Sequence, residues 1–278
     1  MFPSECTTNC FGKRGKFVFL RWFGLDLDTS KGYSAIDPRV QQFYTNETIV
    51  AAFKDYISYL LTHKNAYTGL TYAEDPTVAI IETGNELSGP IFGDEDVPNA
   101  WIQEIATFVK GLPGAQDKLI LDGTYGVNAT HFELPVIDIF SDHFYPRNVT
   151  KLREGIASVK TTDRVYIAGE YDWTSPSGDS LTDFLGAIEQ EYATGTITGD
   201  MYWSLFMHDV GVPNGCNIYV NHTDGYTMHY GDPANPANVT LEIEEVREHL
   251  WRLQGVEVGL AEPSAGCPGP VYEAGTPY

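Results

Sequence analysis

Two glutamates, Glu86 and Glu170, each follow a short aliphatic run. The runs read Val78-Ala-Ile-Ile-Glu-Thr-Gly-Asn85-Glu86 and Val165-Tyr-Ile-Ala-Gly-Glu170-Tyr-Asp-Trp173. A strand that ends in a carboxylate places the acid at its C-terminal end, the end that carries active sites in parallel barrels. A single glutamate so placed is more often an ordinary solvated residue, but two need a joint explanation. Hydrolysis of a glycosidic bond supplies one: the leaving oxygen needs a proton donor, and the anomeric carbon needs a nucleophile or an activated water. Two carboxyl groups perform both tasks when their surroundings push their acidities apart. Asn85, beside Glu86, is placed to hydrogen-bond a sugar 2-hydroxyl, a contact that strengthens in an oxocarbenium-like transition state.

Other chemistries lack their residues. The seven His and four Cys include no His-x-x-x-His or Cys-x-x-Cys spacing, so neither a metal nor a cofactor is expected. Gly211-Val-Pro-Asn-Gly215 lacks the Lys-Ser/Thr of a phosphate loop and reads as turns, and no Gly-x-Ser-x-Gly elbow exists for a serine nucleophile.

The elements that must position the two glutamates are legible from residue 75 onward. Val78–Ile81, Leu119–Leu121, Val136–Phe140, Val165–Ala168 and Met201–Phe206 are predicted strands, short and apolar. Helical spacing joins Trp101, Ile102, Ile105, Ala106, Val109 and Leu112, then Leu152, Ile156 and Val159, then Leu181, Phe184, Leu185 and Ile188. Further helices are predicted over Glu47–Leu61 and Leu241–Leu253, and the link from Leu121 to Val136 reads as a loop. Gly15–Trp22 reads as a strand or a loop. Strands alternating with helices imply parallel pairing through crossovers. The fold class is α/β, of the (β/α)8 barrel type. Only five strands are convincing where closure needs eight, so the Val78–Ile81 strand is expected at an open edge.

Six segments in order resemble glycoside hydrolase family 5, and within it the fungal branch of mannan endo-1,4-β-mannosidases and their relatives. They are Phe43-Tyr44-Thr-Asn; Asn65 to Pro76; Glu82-Thr-Gly-Asn-Glu86; Ser141-Asp-His143-Phe-Tyr145-Pro; Gly169-Glu-Tyr-Asp-Trp173; and Gly199-Asp-Met-Tyr-Trp203-Ser. The resemblance implies Glu86 as acid/base, Asn85 as its sugar-binding neighbour and Glu170 as nucleophile on the family's seventh strand. His143 and Tyr145 match the His-x-Tyr pair after the sixth strand, and Trp203 the aromatic platform after the eighth. An aromatic ring packs well on a sugar's C–H face. Taken without the motifs, His143 would be read as a surface or core histidine and Trp203 as core packing. Trp22 and Trp173 are further candidates to line a sugar groove, whereas Trp101, on a helix, is expected in the core.

The resemblance also has departures. The family's Asn-Glu-Pro reads Asn85-Glu86-Leu87 here, and the first three strands, with an Arg near the second and a His after the third, have no counterpart. Phe17-Val-Phe-Leu-Arg-Trp22 resembles part of the loop after the third strand. The expectation is one catalytic domain over residues 1–278 holding strands four to eight: an N-terminal loop region at 1–45, the barrel portion at 46–254 and a tail at 255–278. Its expected reaction is retaining hydrolysis of a β-1,4-linked polysaccharide, β-mannan before β-glucan, with carboxyl groups roughly 5 Å apart. The alternative is an inactive chain that at most binds carbohydrate.

Composition agrees with a carbohydrate partner. Seventeen Lys and Arg against 38 Asp and Glu leave a formal charge of −21, which repels nucleic acid and anionic membranes but not a neutral sugar polymer. No apolar run reaches the roughly 20 residues of a membrane span, and a complete enzyme is expected to be monomeric. Five of the twelve Asn residues (Asn46, Asn128, Asn148, Asn221 and Asn238) begin Asn-x-Thr sequons. Composition alone puts Ser or Thr at that spacing after roughly one Asn in eight. With Cys6, Cys10, Cys216 and Cys267 fitting two disulfides in any of three connectivities, the chain reads as extracellular.

Overall fold

The computed structural model describes residues 15–27, 37–88, 97–206 and 224–255. The four cysteines and Asn221 lie outside the described residues. Five strands form one sheet in chain order: β1 (Ile80–Glu82), β2 (Leu119–Leu121), β3 (Ile139–Phe144), β4 (Val165–Asp172) and β5 (Ile197–Trp203). The β1–β2, β2–β3 and β4–β5 pairs are parallel, and β1 stands at one end of the order. The architecture is that of an incomplete (β/α)8 barrel, with five of eight strands among the described residues. None of the described helices is long and apolar enough to cross a membrane.

The chain divides into two compact units, Met1–Ser141 and Asp142–Tyr278. In the first, α1 (Gly15–Trp22), α2 (Gln42–Thr45) and α3 (Glu47–Leu61) precede the strands. Gly15–Trp22 is therefore a helix and not the expected strand or loop, and the described residues at 38–45, also within the expected N-terminal loop region, are helical too. Its Phe and Val content favours extended backbone locally, but a helix gathers Lys16, Phe19 and Leu20 onto one buried face. Phe19 then meets Phe43 and Phe53 edge-on at 6.0 and 5.4 Å, and this tertiary packing decides the local conformation. α3 starts where Asn46, in extended backbone, accepts the Thr48 N–H at 3.0 Å on its side-chain oxygen.

α4 (Asn99–Gly111) turns Trp101, Ile102, Ile105, Ala106 and Val109 inward at helical spacing. Trp101 is buried, stacked 5.8 Å from Phe53, which places it in the core as expected. Lys110 binds Asp138 at 2.8 Å, and the same Asp138 oxygen accepts the Ile120 N–H, tying α4 to β2. The link after β2 is a loop broken only by a 3-10 turn at Ala129–Glu133, as its sequence implied. β3 begins three residues later than its expected start at Val136 and continues to Phe144. Val136 follows Pro135, a residue with no N–H for a ladder.

In the second unit α5 (Val149–Val159) and α6 (Leu181–Ala193) follow β3 and β4, and α7 (Ala237–Leu253) follows β5. Phe184 packs against Phe144 at 5.0 Å and Tyr171 at 5.3 Å. β5 starts at Ile197, earlier than its apolar run, because Thr198, Gly199 and Asp200 are strand residues with little aliphatic signal. Asp200 has a specific partner there. His249 on α7, fully buried, reaches Asp200 at 3.2 Å with Nε2 and Glu189 on α6 at 2.8 Å with Nδ1. Tyr171 donates to the other Asp200 oxygen at 3.0 Å, and Arg252 to Glu189 at 2.9 Å.

Burial disfavours the imidazolium at His249, but the Asp200 and Glu189 carboxylates outweigh it and raise its pKa above the ordinary value. A raised folded pKa stabilises fully below the unfolded value of about 6.5 and ceases to do so as pH rises through the folded value. His249→Gln should therefore lower Tm more at about pH 6 than at about pH 9, as differential scanning fluorimetry can measure; an equal loss at both would show that the histidine is neutral.

Two glycines give a second test. Gly186 lies inside α6 with open space where a Cβ would stand, so Gly186→Ala should stabilise by about 0.5–1 kcal/mol. A Cβ at Gly123 would meet the Gly84 carbonyl oxygen at 1.9 Å. Gly123→Ala should cost at least about 1–3 kcal/mol. Urea unfolding of both variants checks the opposite signs.

Candidate active site

In the first unit the chain leaves β1 through Thr83-Gly84-Asn85-Glu86-Leu87. This loop is stitched to the end of β2. Gly123 donates to Thr83 Oγ1 at 2.9 Å, Leu87 N–H to Gly123 O at 2.9 Å, and Tyr125 N–H to Leu87 O at 2.8 Å. The Gly84–Gly123 approach allows the two backbones to lie this close, and Leu87 forms a parallel bridge to Thr124. The departure at Leu87 has a structural consequence: proline has no N–H to donate to Gly123. Within this frame Glu86 takes a left-handed φ of 50° and is 5% exposed, while Asn85 is exposed.

In the second unit His143 lies on β3 and Tyr145 directly follows it, Glu170 lies on β4, and Trp203 ends β5. Three of these meet. Tyr145 Oη donates to Glu170 Oε2 at 2.9 Å, and His143 Nδ1 stands 3.6 Å from the same oxygen. The Glu170 side chain is 22% exposed, so the carboxylate is oriented yet reachable. Lys151 on α5 holds the backbone beneath it, donating to Asp142 Oδ1 at 2.8 Å and to His143 O at 2.9 Å. Burial raises the Asp142 pKa, and the Lys151 ammonium offsets only part of that rise.

Residues outside the motifs complete the surroundings. Arg147 is buried and donates to Asp172 O at 2.6 Å, Asp172 Oδ1 at 3.1 Å, Ser175 O at 2.7 Å and Asp179 O at 3.0 Å. Trp203, half-buried, donates its indole N–H to Asp224 at 2.6 Å. Tyr226 stacks obliquely 5.2 Å from Tyr145. Only Arg147 had a signal in sequence, as a cation two residues beyond Tyr145; Asp224 and Tyr226 lie in a stretch without periodicity.

Trp173 requires a correction. It is 1% exposed, and its indole N–H donates to Tyr226 O at 2.7 Å. A ring so enclosed serves packing, with no face left to meet a sugar. Trp22 lies in the first unit at 39% exposure, against Phe19.

Comparison with known proteins places the chain in a family. A family model described as GH family 5 beta-mannosidase-like matches residues 15–177. Mannan endo-1,4-beta-mannosidase 4 of Oryza sativa subsp. japonica is 31% identical over 303 residues, covering 92% of this chain and 62% of the relative. Mannan endo-1,4-beta-mannosidase 1 of Arabidopsis thaliana is 30% identical over 159 residues, 49% of this chain and 34% of the relative. The chain thus spans less than two thirds of these curated relatives' length. Among solved structures, the endo-1,4-beta-mannanase from Rhizomucor miehei matches with a TM-score of 0.58 at 23% identity, covering 83% of this chain and 67% of that one. A glycoside hydrolase family 5 mannosidase from the same organism matches with a TM-score of 0.62 at 15% identity, covering 87% and 69%. These two agree in fold. By its sequence match over more than half its length, the chain belongs to the family 5 β-mannosidase-like glycoside hydrolases.

Proposed function

We propose that this protein hydrolyses β-1,4-linked mannan with retention of configuration, Glu170 acting as nucleophile and Glu86 as acid/base. The observation that carries the proposal is the Tyr145–Glu170 hydrogen bond with His143 beside it, on the carboxylate at the end of a parallel strand. A nucleophilic carboxylate needs a fixed orientation and an open approach, and Glu170 has both.

In the first step Glu170 bonds to the anomeric carbon as the bond to the leaving oxygen breaks, and Glu86 gives that oxygen its proton. In the second, Glu86 takes a proton from water, whose oxygen displaces Glu170 and restores both groups. Asn85 hydrogen-bonds the 2-hydroxyl. Trp203, its indole anchored by Asp224, offers an aromatic face beneath the sugar. The curated relatives' names support mannan over other β-glycans. No metal or cofactor enters this mechanism. We further propose that the protein works outside the cell as a monomer, on a polymer its negative charge does not repel.

Treatment with a 2-fluoro-mannoside carrying a good leaving group should trap a glycosyl ester on Glu170, found by peptide mass spectrometry, and Glu170→Gln should trap none. Label on another residue would overturn the assignment. Trp203→Ala should reduce turnover of mannan by more than tenfold while Tm changes little; the reverse pattern would make Trp203 a packing residue.

A further inference from the structure

The Asn-x-Thr sequons have a second physical meaning that only the fold exposes. Three of the four within the described residues start helices. Asn46 caps α3, Asn128 caps the 3-10 turn at Ala129–Glu133, and Asn148 caps α5. In each, Oδ1 accepts a backbone N–H: Thr48 at 3.0 Å, Thr130 at 3.1 Å and Lys151 at 2.8 Å. A polar residue at the cap followed by a short polar one is an ordinary helix start, so the excess of sequons partly counts helix caps. Capping uses Oδ1, whereas a glycan is attached through Nδ2. The two roles are compatible where Nδ2 faces solvent and exclude each other where it does not.

We infer that Asn46, Asn148 and Asn238 carry N-linked glycans and that Asn128 is a structural cap that stays bare. Asn148 is exposed and Asn46 partly so, and no described residue takes a hydrogen bond from either Nδ2. Asn238 is exposed on the first turn of α7, whose cap position is Pro236, so its side chain has no capping task. Asn128 differs. Its Nδ2 lies 3.3 Å from His131 Nε2, and its Oδ1 accepts the Thr130 hydroxyl at 2.8 Å. His131 is fully buried, with Nδ1 2.7 Å from the buried Asp122. A sugar on Nδ2 would have to occupy the space that this amide shares with a fully buried imidazole.

The inference rests on the extracellular route proposed above. In the transfer, an Nδ2–C1 bond forms as the sugar's C1–O bond to a polyprenyl-diphosphate carrier breaks. One amide proton is released and the diphosphate departs with the bonding pair.

The test secretes the full 278-residue chain from a eukaryotic host behind the host's own leader. Glycans on the folded, secreted fraction are removed enzymatically in isotope-labelled water, which converts each occupied Asn to labelled Asp. Labelled peptides are expected at Asn46, Asn148 and Asn238, with Asn128 unlabelled. Label at Asn128, or its lack at any of the other three, overturns the inference. Residues 122–134 grafted into an unstructured tail of a secreted carrier should be glycosylated at Asn128, which assigns its bareness to the fold; a bare graft would overturn that reason. Protein isolated from its own source without any glycan, set against the expected pattern in the host, would remove the extracellular reading and leave the sorting of the sites standing.

Discussion

The buried guanidinium of Arg147 is the interaction on which the second unit's site depends. Its contacts are two carbonyl oxygens of the loop after β4, the Asp172 carbonyl and the Asp172 carboxylate. Planar and always charged, Arg presents several donors in a fixed fork, so one side chain fixes the paths of two loops. One of these follows Glu170; the other begins at Tyr145. Burying this charge is favourable only because acceptors surround it, and loss of one partner would leave an uncompensated ion in the interior. Gly178, with φ of 78°, lets its loop approach Arg147, since a Cβ there would fall 2.3 Å from the Arg147 carbonyl oxygen. The Tyr145–Glu170 hydrogen bond is thus supported by residues that touch neither partner.

The first unit solves the same positioning problem with backbone. Gly84 and Gly123 allow a separation that side chains forbid, and Leu87 provides the N–H that closes the loop onto β2. Glu86 is carried in a left-handed conformation uncommon for a residue with a Cβ. Such conformations persist where neighbouring structure over-determines them, and they concentrate at functional positions. The leucine that departs from the family's proline is part of that over-determination.

Charge and packing share the work at α7. His249 joins helix, sheet and a second helix through two carboxylates, each of which has another donor. A neutral imidazole cannot donate from both nitrogens, so the geometry favours the protonated ring. The acidic balance of the chain is therefore not only a surface property; some of its carboxylates are internal acceptors.

Much of this protein was determined by sequence alone. Short apolar runs marked the five described strands and helical spacing most of the described helices, because burial imposes apolar residues whatever the neighbours are. That Glu86 would follow one strand and Glu170 lie toward the C-terminal end of another was legible in the same runs, and Trp101 on its helical stripe was legible as core. Tertiary structure decided the rest. Gly15–Trp22 became a helix because Phe19 found partners in α2 and α3 and Leu20 was buried beside it. Trp173 and Trp203, alike in sequence as strand-end tryptophans, separated into a core ring and a partly open one. Asn128 and Asn148 begin equivalent motifs, yet one amide faces a buried histidine and the other solvent. A local pattern reports the side a residue presents, whereas its accessibility depends on residues tens of positions away, and those meet only when the chain has folded.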